Sequence, residues 1–181
     1  ADNVGKAVSS EIINRLESKL DKLLRATNET KDTVVISFEV PDHLKEKFRF
    51  KQGQHLTLRK NINGQDIRRN YSLCTSPFDN QWKVAVKTIR QGVFSNYAFN
   101  ELKKGDELEV MPPHGEFYVE CEPESSKNYI AFAAGSGITP MISIIKTHLH
   151  LEPNSTFKLF YLNRTVKSII FKEEIEQLKN E

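Results

Sequence analysis

The stretch from residue 129 to residue 140 constrains the fold more than any other part of the chain. Its first half, Tyr129–Ala134, is continuously apolar, which is typical of a strand buried on both faces of a sheet. The chain then runs into Gly135-Ser136-Gly137-Ile138-Thr139-Pro140, and a helix is predicted from about Pro140 to Leu149. A strand at residues 157–162 and a helix at about residues 168–179 follow. This β-α-β-α order predicts the first half of a parallel, Rossmann-like sheet flanked by helices.

The residues before this stretch predict a different architecture. Short segments rich in apolar and β-branched side chains are separated by turn residues such as Gly, Asn, Asp and Pro. The predicted strands are residues 33–40, 55–59, 66–74, 82–89, 106–111 and 116–121, with a short helix at about residues 94–102. Six short strands at this spacing predict a closed antiparallel Greek-key barrel, so the predicted fold class is β plus α/β.

The first 24 residues form an extension in this interpretation. After a candidate N-cap at Ser9 or Ser10, apolar side chains recur at helical spacing. These side chains are Ile12, Ile13, Leu16, Leu20, Leu23 and Leu24. The predicted amphipathic helix would cover an open end of the barrel or mediate dimerisation. The predicted organisation is an extension at 1–24, a barrel at 25–122, a linker at 123–127 and half of a nucleotide-binding domain at 128–181.

Charge and composition argue against several classes of protein. Lys and Arg total 26 against 24 for Asp and Glu, and the two signs are interspersed. The chain therefore has no basic stripe of the kind that binds nucleic acid or a membrane surface. It has no apolar signal segment and no apolar run of about 18 residues, so we expect a cytoplasmic protein that does not span a membrane.

The Cys and His residues do not predict a metal site. Cys74 and Cys121 are the two cysteines, which are too few for an iron–sulfur cluster with four thiolate ligands. The five His residues show no metal-ligand spacing, and His148 and His150 point in different directions on the predicted helix. We therefore predict that this chain binds no metal.

One predicted strand carries a cation and an aromatic ring on the same face. Arg69 and Tyr71 are two residues apart, so their side chains point the same way and lie about 7 Å apart. A ligand with phosphate at one end and a flat ring at the other would fit this face. The alternative is an ordinary solvated strand that ends at the turn at Pro77.

A second stretch with binding potential follows the strand at 82–89. Gly92 allows close approach of the backbone to a ligand, and Ser95 lies where a helix begins. Free backbone N–H groups and a hydroxyl would converge there, which suits a pyrophosphate. The same spacing equally describes a turn with a helix cap.

The glycine turn is a third candidate site. Gly135 and Gly137 allow a tight turn after a buried strand, and the following helix points its N-terminal dipole at any bound anion. At the end of the next strand, Asn163 and Arg164 occupy the place where NAD-binding sheets carry an acidic residue. Arg164 would then pair with a 2′-phosphate, which favours NADP over NAD; its alternative is a solvated surface Arg.

Taken together, these stretches resemble the ferredoxin–NADP reductase superfamily, and within it the reductase subunits of phenylacetyl-CoA monooxygenase (epoxidase) systems. The similarity covers about residues 24–181. The superfamily motifs are Arg69-x-Tyr71-Ser72-Leu73, Gly92-Val93-Phe94-Ser95 and Gly135-Ser136-Gly137-Ile138-Thr139-Pro140. Residues 101–113, Asn163-Arg164-Thr165 and Ser168-Ile169-Ile170-Phe171 are similar to the subfamily.

The resemblance implies a role for each matched residue. Arg69 would bind the FAD phosphates, Tyr71 would stack on the isoalloxazine, and Ser72 would hydrogen-bond near N5. Thr139 would approach the nicotinamide, so Ser72, Tyr71 and Thr139 are the predicted catalytic residues. The other predicted cofactor-binding residues are Leu73, His55, Val86, Lys87, Thr88, Gly92, Val93, Phe94, Ser95, Gly135, Gly137, Ile138, Pro140, Asn163 and Arg164. His55 departs from the family, whose members commonly carry an aromatic residue after Gly-Gln.

The function implied by the resemblance is hydride transfer from NADPH, or from NADH, to FAD. Electrons would then pass through a 2Fe-2S ferredoxin domain, which this chain lacks, to an oxygenase component or a ferredoxin. The chain also lacks the later strands and the Cys-Gly-Pro stretch of the nucleotide domain, so we expect a truncated protein. The alternatives are a non-catalytic flavin-binding or partner-docking fragment and the reductase half of a flavohaemoglobin.

Overall fold

The computed structural model describes residues 19–20 and 23–179, which form an antiparallel β unit followed by an α/β unit. The β unit contains β1 (Lys19–Leu20), β2 (Leu23–Thr30), β3 (Thr33–Phe38), β4 (His55–Ile62), β5 (Gln65–Ser72), β6 (Trp82–Lys87), α1 (Val93–Asn100) and β7 (Leu108–Val110). The α/β unit contains β8 (Asn128–Ala134), α2 (Ile138–Leu151), β9 (Thr156–Leu162) and α3 (Lys172–Gln177).

Two antiparallel sheets enclose the core of the β unit. One has the strand order β1-β7-β4-β5, and the other has the order β2-β3-β6. An isolated bridge between Leu73 and Val84 connects the end of β5 to β6. Ile36, Leu56 and Leu58 are fully buried between the sheets because alternate side chains of a strand share one face. The antiparallel architecture predicted from the sequence is therefore confirmed.

The predicted strand at residues 116–121 is wrong, because the chain has no regular strand structure there. Side chains from the loop before β4 hold this segment in place of strand pairing. The Lys51 ammonium pairs with Glu120 at 2.6 Å, and the Gln52 side-chain amide donates to the carbonyl oxygen of Val119. Two N-terminal strands that the sequence pattern did not predict, β1 and β2, extend the sheets instead.

The predicted N-terminal helix is contradicted at its C-terminal end. Leu20 lies in β1, and Leu23 and Leu24 lie in β2, which pairs with β3 in an antiparallel hairpin. Backbone pairing with β3 decides the conformation here because local helical spacing is only a weak preference. The rest of the predicted helix lies outside the described residues.

The α/β unit contains a parallel pair of strands, β8 and β9, connected through α2 as predicted. The prediction that β8 is buried on both faces is wrong. Ala131 and Ala133 are buried on the side of α2, whereas Ile130 and Phe132 are 61% and 70% exposed. The exposed face continues onto β9, where the ring of Phe160 stacks 5.0 Å from that of Phe132. Within residues 128–179, helices pack on one face of this sheet only.

The helix predicted at about residues 168–179 is divided into a 3-10 turn, Val166–Ser168, and the short helix α3. Phe171 separates them with a φ of +58°, and its backbone N–H donates to the Glu29 carboxylate at 2.8 Å. That contact with β2 holds a conformation which interrupts the helix. Across residues 19–20 and 23–179, no helix has both the length and the apolar character needed to cross a membrane.

Buried hydrogen bonds join the two units. The Ser143 hydroxyl of α2 donates to the carbonyl oxygen of Thr75 at 2.6 Å, and the Thr147 hydroxyl hydrogen-bonds to the Ser76 hydroxyl at 3.1 Å. Thr75 and Ser76 lie just after β5. An apolar cluster surrounds this junction and includes Cys74, Ala85, Ala133, Ile138, Ile142 and Ile170. The end of β5 is therefore attached to the helix that follows the glycine turn.

We expect the substitution Ser143→Ala to lower the free energy of unfolding by about 1–3 kcal/mol, because it leaves the buried Thr75 carbonyl without its donor. Chemical denaturation followed by circular dichroism measures this change. Ser126→Ala is the matched control, since the Ser126 hydroxyl makes an exposed bond to the carbonyl of Asn154. Equal losses for the two variants would contradict the role assigned to the junction.

Candidate functional site

The strand β5 presents Arg69 and Tyr71 as the alternation predicts. Arg69 is exposed, and its guanidinium donates to the carbonyl of Arg68 at 2.7 Å. Tyr71 is half-buried, and its ring lies 5.6 Å from the ring of Phe94. Burial raises the pKa of Tyr71 to about 12, against a smaller lowering effect of the Arg69 charge. The phenol is therefore neutral at physiological pH and available for stacking.

The next two residues of this stretch differ in exposure. Ser72 is half-buried and lies opposite His55 in the pairing of β4 with β5. The Leu73 side chain is fully buried in the core, and its backbone N–H donates to the carbonyl of Gln54 at 2.9 Å. Of the two, Ser72 has the side chain that can contact a cofactor.

His55 is paired with a second histidine. The Nε2 atoms of His55 and His114 lie 3.0 Å apart, and the two ring centroids are 4.1 Å apart. One nitrogen must donate and the other accept, so this hydrogen bond requires that the rings are not both doubly protonated. Burial, and secondarily the charge of His114, lower the pKa of His55.

The Gly92 turn lies beside β5 because α1 packs against β4, β5 and β6. The Ser95 hydroxyl is buried; it donates to the carbonyl of Gly92 at 3.3 Å and accepts from the N–H of Ile89. Phe94 is also buried, and its ring contacts that of Tyr71. Gly92 and Val93 are the residues of this motif that are not buried. The Gly92 N–H donates to the carbonyl of Ile89 at 3.0 Å, so Val93 is the residue that offers a backbone N–H group at the start of α1.

The residues that follow β6 serve a structural contact. Val86 is fully buried in the core. The Lys87 ammonium pairs with the Asp32 carboxylate at 3.1 Å, and the Thr88 N–H and hydroxyl both donate to the Asp32 carbonyl. Their side chains hold the β2–β3 turn, which leaves the backbone of this stretch as the part that can line a cofactor.

The glycine turn has the left-handed backbone that its sequence predicts, with a φ of +51° at Gly135. The turn forms a short 3-10 helix against β6 before α2 begins at Ile138, whose side chain is fully buried. The Thr139 hydroxyl donates to the carbonyl of Ser136 at 3.0 Å. Gly137 is exposed and Pro140 is half-buried at the start of α2.

Asn163 and Arg164 lie directly after β9. They are at the same edge of the sheet as the glycine turn, because β8 and β9 are parallel and end opposite each other. Arg164 is exposed, whereas the side-chain nitrogen of Asn163 is buried without a hydrogen-bond partner. An amide donor without a partner at this place is suited to an acceptor on a ligand.

Tyr161 is a residue that sequence reasoning missed. Its hydroxyl donates to the carbonyl of Gly135 at 2.9 Å and accepts from the N–H of Ile170 at 3.2 Å. It therefore connects the glycine turn to the loop that carries Arg164. The signal in the sequence was weak: a Tyr inside an apolar strand, two residues before Asn163.

These placements fit a flavin dinucleotide on the β unit. The exposed Arg69 guanidinium and the half-buried Tyr71 ring are on β5, and the contact between Tyr71 and Phe94 joins this strand to the first turn of α1. Phosphate suits the cation and the helix N-terminus, and a flat ring suits the phenol.

Comparison with known proteins identifies the family. Residues 21–118, more than half of the chain, match the oxidoreductase FAD-binding domain. The chain belongs to this family of FAD-binding oxidoreductases. Residues 132–181 match the oxidoreductase NAD-binding domain. The α/β unit is therefore related to nucleotide-binding domains.

Two curated relatives are components of oxygenase systems. The chain is 46% identical to a component of the 1,2-phenylacetyl-CoA epoxidase of Escherichia coli (strain K12) over 156 residues, which are 86% of this chain and 44% of that protein. It is 44% identical over 153 residues to the 3-ketosteroid-9-alpha-monooxygenase, ferredoxin reductase component, of Rhodococcus rhodochrous, covering 83% of this chain and 42% of that protein. The chain spans less than half the length of either relative.

Solved structures agree with the fold. Phthalate dioxygenase reductase has a TM-score of 0.71 and 29% identity, with 87% of this chain and 47% of that chain covered. The ferredoxin NADP+ reductase of Neisseria gonorrhoeae has a TM-score of 0.70 at 21% identity, over 87% of this chain and 62% of that chain, and supports the fold alone. The resemblance to the ferredoxin–NADP reductase superfamily and the predicted fold class are confirmed.

The His pair generates a pH prediction. Because folding lowers the pKa of His55, the unfolded state takes up this proton first on acidification, and stability is lost as pH falls below about 6.5. The substitution His114→Ala should raise the pKa of His55 partway towards its ordinary value, since the effect of burial remains. Imidazole NMR resonances measure the pKa of His55, and chemical denaturation at pH values above and below 6.5 measures the loss of stability. His43→Ala is the control, and an unchanged His55 pKa in His114→Ala would contradict the coupling.

The position of Tyr161 generates a second prediction. We expect Tyr161→Phe to weaken binding of NADP+ severalfold, because each lost hydrogen bond contributes about 0.5–1.5 kcal/mol to holding the turn and the loop together. Isothermal titration calorimetry measures the affinity. Tyr118→Phe, in the segment between β7 and β8, is the control. An unchanged affinity in Tyr161→Phe would contradict the role of this hydroxyl.

Proposed function

We propose that this chain is the cofactor-binding part of an NAD(P)H-dependent reductase that supplies electrons to an oxygenase. FAD, when bound, supplies the chemistry by taking hydride from the nicotinamide and releasing electrons singly towards a 2Fe-2S centre. The observation that carries the proposal is the ring contact of 5.6 Å between Tyr71 and Phe94. It places the strand with Arg69 next to the helix that begins after Gly92, and we call this surface the flavin groove.

Each proposed role follows from a property of the residue. The exposed Arg69 guanidinium binds FAD phosphate, and the neutral Tyr71 phenol stacks on the isoalloxazine. The Ser72 hydroxyl hydrogen-bonds near N5. The backbone N–H of Val93 at the start of α1 binds the pyrophosphate, and the absence of a side chain at Gly92 leaves room for it. None of these residues needs to transfer a proton, so the protein acts by orientation and charge.

The nucleotide half of the site is proposed on the glycine turn. The turn at Gly135 and the start of α2 at Thr139 approach the nicotinamide, while Arg164 and the amide of Asn163 bind the 2′-phosphate of NADPH. The exposure of Arg164 and the unpartnered nitrogen of Asn163 support this assignment. We infer a linker at 123–127 and a nucleotide-binding unit from residue 128, whereas the β unit begins before the predicted residue 25, with β1 and β2. A cytoplasmic location stays a prediction.

The electron acceptor is proposed from the relatives. An epoxidase component at 46% identity and a monooxygenase reductase component at 44% identity support an oxygenase as electron acceptor, and the former supports a phenylacetyl-CoA system. A flavohaemoprotein half is the second candidate, because the flavohemoprotein of Candida albicans (strain SC5314 / ATCC MYA-2876) is 33% identical over 162 residues, covering 88% of this chain and 40% of that protein. Residues 101–113 and 163–171, which are similar to the epoxidase subfamily, favour the first candidate.

Two arginines test the proposed site. We expect Arg69→Ala to weaken FAD binding by about ten- to a hundredfold, because a charge-assisted contact contributes about 1.5–3 kcal/mol. Arg164→Ala should leave FAD binding unchanged and weaken binding of 2′,5′-ADP. Flavin fluorescence quenching and calorimetry measure the two affinities.

Arg68→Ala is the matched control for Arg69→Ala. Arg68 precedes Arg69 on the opposite face of β5, and its guanidinium lies 3.5 Å from the Asp66 carboxylate. Equal losses of FAD affinity in these two variants would overturn the site assignment. Turnover of NADPH with ferricyanide separates a reductase from a non-catalytic flavin-binding or docking fragment, because such a fragment would show none.

A further inference from the structure

A cluster of metal-ligating side chains, none of which is proposed to bind FAD, lies where the segment between the two units meets the end of α2. Cys121 comes from that segment, His148 from the last turn of α2, and Glu152 from the residue after it. A ring nitrogen of His148, the Sγ of Cys121 and a carboxylate oxygen of Glu152 all lie within 4.8 Å of one another. His148 and Glu152 are four residues apart, so the helix brings both to one face.

His148 has a ring nitrogen without a partner in the protein interior. The side chain is fully buried, and its Nδ1 lies 3.0 Å from the carbonyl oxygen of Ile144. A carbonyl only accepts, so Nδ1 is the donor of this bond. Nε2 is buried without any hydrogen-bond partner. A buried polar atom without a partner is unfavourable, and a metal ion bound to the neutral imidazole is one group that satisfies it.

The ring of His148 is held in a fixed orientation. It packs edge-on against Tyr129 and Phe157, with centroid distances of 5.0 Å and 5.6 Å. A backbone carbonyl bound to one nitrogen is also the usual arrangement behind a metal-bound histidine, because it fixes the tautomer and directs the other nitrogen to the ion.

The side chain of Glu152 is fully buried, and hydrogen bonds from three donors stabilise its carboxylate form. It accepts hydrogen bonds from the backbone N–H of Glu122, the hydroxyl of Tyr129 and the hydroxyl of Ser155, at 2.8, 2.9 and 2.8 Å. Burial acts to raise the pKa of Glu152, but these bonds, together with the charge of His148, outweigh it and the pKa is lowered. Three donors therefore fix the orientation of the carboxylate beside His148 and Cys121.

Cys121 supplies the third donor. It is half-buried, and its Sγ lies 3.6 Å from the side-chain nitrogen of Gln52. Burial, and secondarily the charge of Glu152, raise the pKa of this thiol. A bound dication reverses that effect, so binding is expected to release the thiol proton to solvent.

We propose that Cys121, His148 and Glu152 bind one divalent cation of the zinc class. A thiolate, an imidazole nitrogen and a carboxylate are ligands that Zn²⁺ accepts, and a water molecule completes a tetrahedral set. The thiolate and the carboxylate together neutralise the charge of the ion, as a buried site requires. The ion would join the segment between the units to α2 and strengthen the attachment of the α/β unit.

This proposal replaces the sequence prediction that the chain binds no metal. That prediction compared His148 with His150, which lies two residues on and is exposed. The ligand that completes the cluster, Cys121, is 27 residues before His148 in the sequence. No motif spacing identifies such a set.

Titration of the EDTA-treated chain with Co²⁺ tests the site. We expect one equivalent to bind and to produce a thiolate-to-cobalt charge-transfer band in the near ultraviolet, with visible bands of tetrahedral intensity. One equivalent of Zn²⁺ should displace the cobalt, and Zn²⁺ binding should release about one proton per site near neutral pH, measured in weakly buffered solution.

Variants assign the ligands. Cys121→Ser should abolish the charge-transfer band, and His148→Gln should weaken metal binding at least tenfold. The controls are Cys74→Ala, which removes the other thiol, and His150→Gln, which removes a neighbouring exposed imidazole; both should keep the band. Cys121 is only half-buried, so Cys121→Ser tests the site even where His148→Gln does not fold.

The result that overturns the proposal is an absent band, or a band that persists in Cys121→Ser. A band lost equally in Cys74→Ala and Cys121→Ser also overturns it. FAD affinity is measured on the same samples. Because the cluster shares no residue with the proposed FAD site, loss of the metal in Cys121→Ser with unchanged FAD affinity supports the metal site and leaves the proposed reductase function intact.

Discussion

The hydrogen bond from the Ser143 hydroxyl to the Thr75 carbonyl is the contact on which the rest of the structure depends. It joins α2 of the α/β unit to the backbone that leaves β5 of the β unit, in a position closed to solvent. A buried carbonyl without its donor is unfavourable, so the two units have a strong preference for this one arrangement. The apolar cluster around Cys74 and Ile138 adds buried apolar surface to the junction, while the hydrogen bond specifies the orientation of the two units.

This junction connects two sites that lie far apart in the sequence. Tyr71 and Ser72 are the residues proposed to contact FAD, and Thr75 and Ser76, a few residues later, hydrogen-bond to α2. Since α2 begins immediately after the glycine turn, these bonds fix the position of that turn relative to β5. The proposed hydride transfer requires donor and acceptor to approach closely, and a short connection between the two proposed sites serves that requirement.

Local pattern predicted the features that depend on local geometry. Arg69 and Tyr71 share a face because alternation along a strand is a property of the backbone, and Gly135 adopts positive φ because glycine has no Cβ. The failures occurred where distant contacts decide. Leu23 pairs with Phe38 of β3, and Phe132 is exposed because its neighbours in space, not its own apolarity, determine burial.

The sequence by itself determined the order of the two units, the types of residue in each binding motif and the family to which the chain belongs. The tertiary structure alone decided which polar groups remain available. Ser95 and Thr139 direct their hydroxyls to nearby carbonyls, Tyr161 connects two loops, and His148 meets Cys121 with an unpartnered nitrogen. The physical reason is that a hydrogen-bonding group in the interior must be matched by whatever the fold brings near it, and that neighbour is rarely close in sequence.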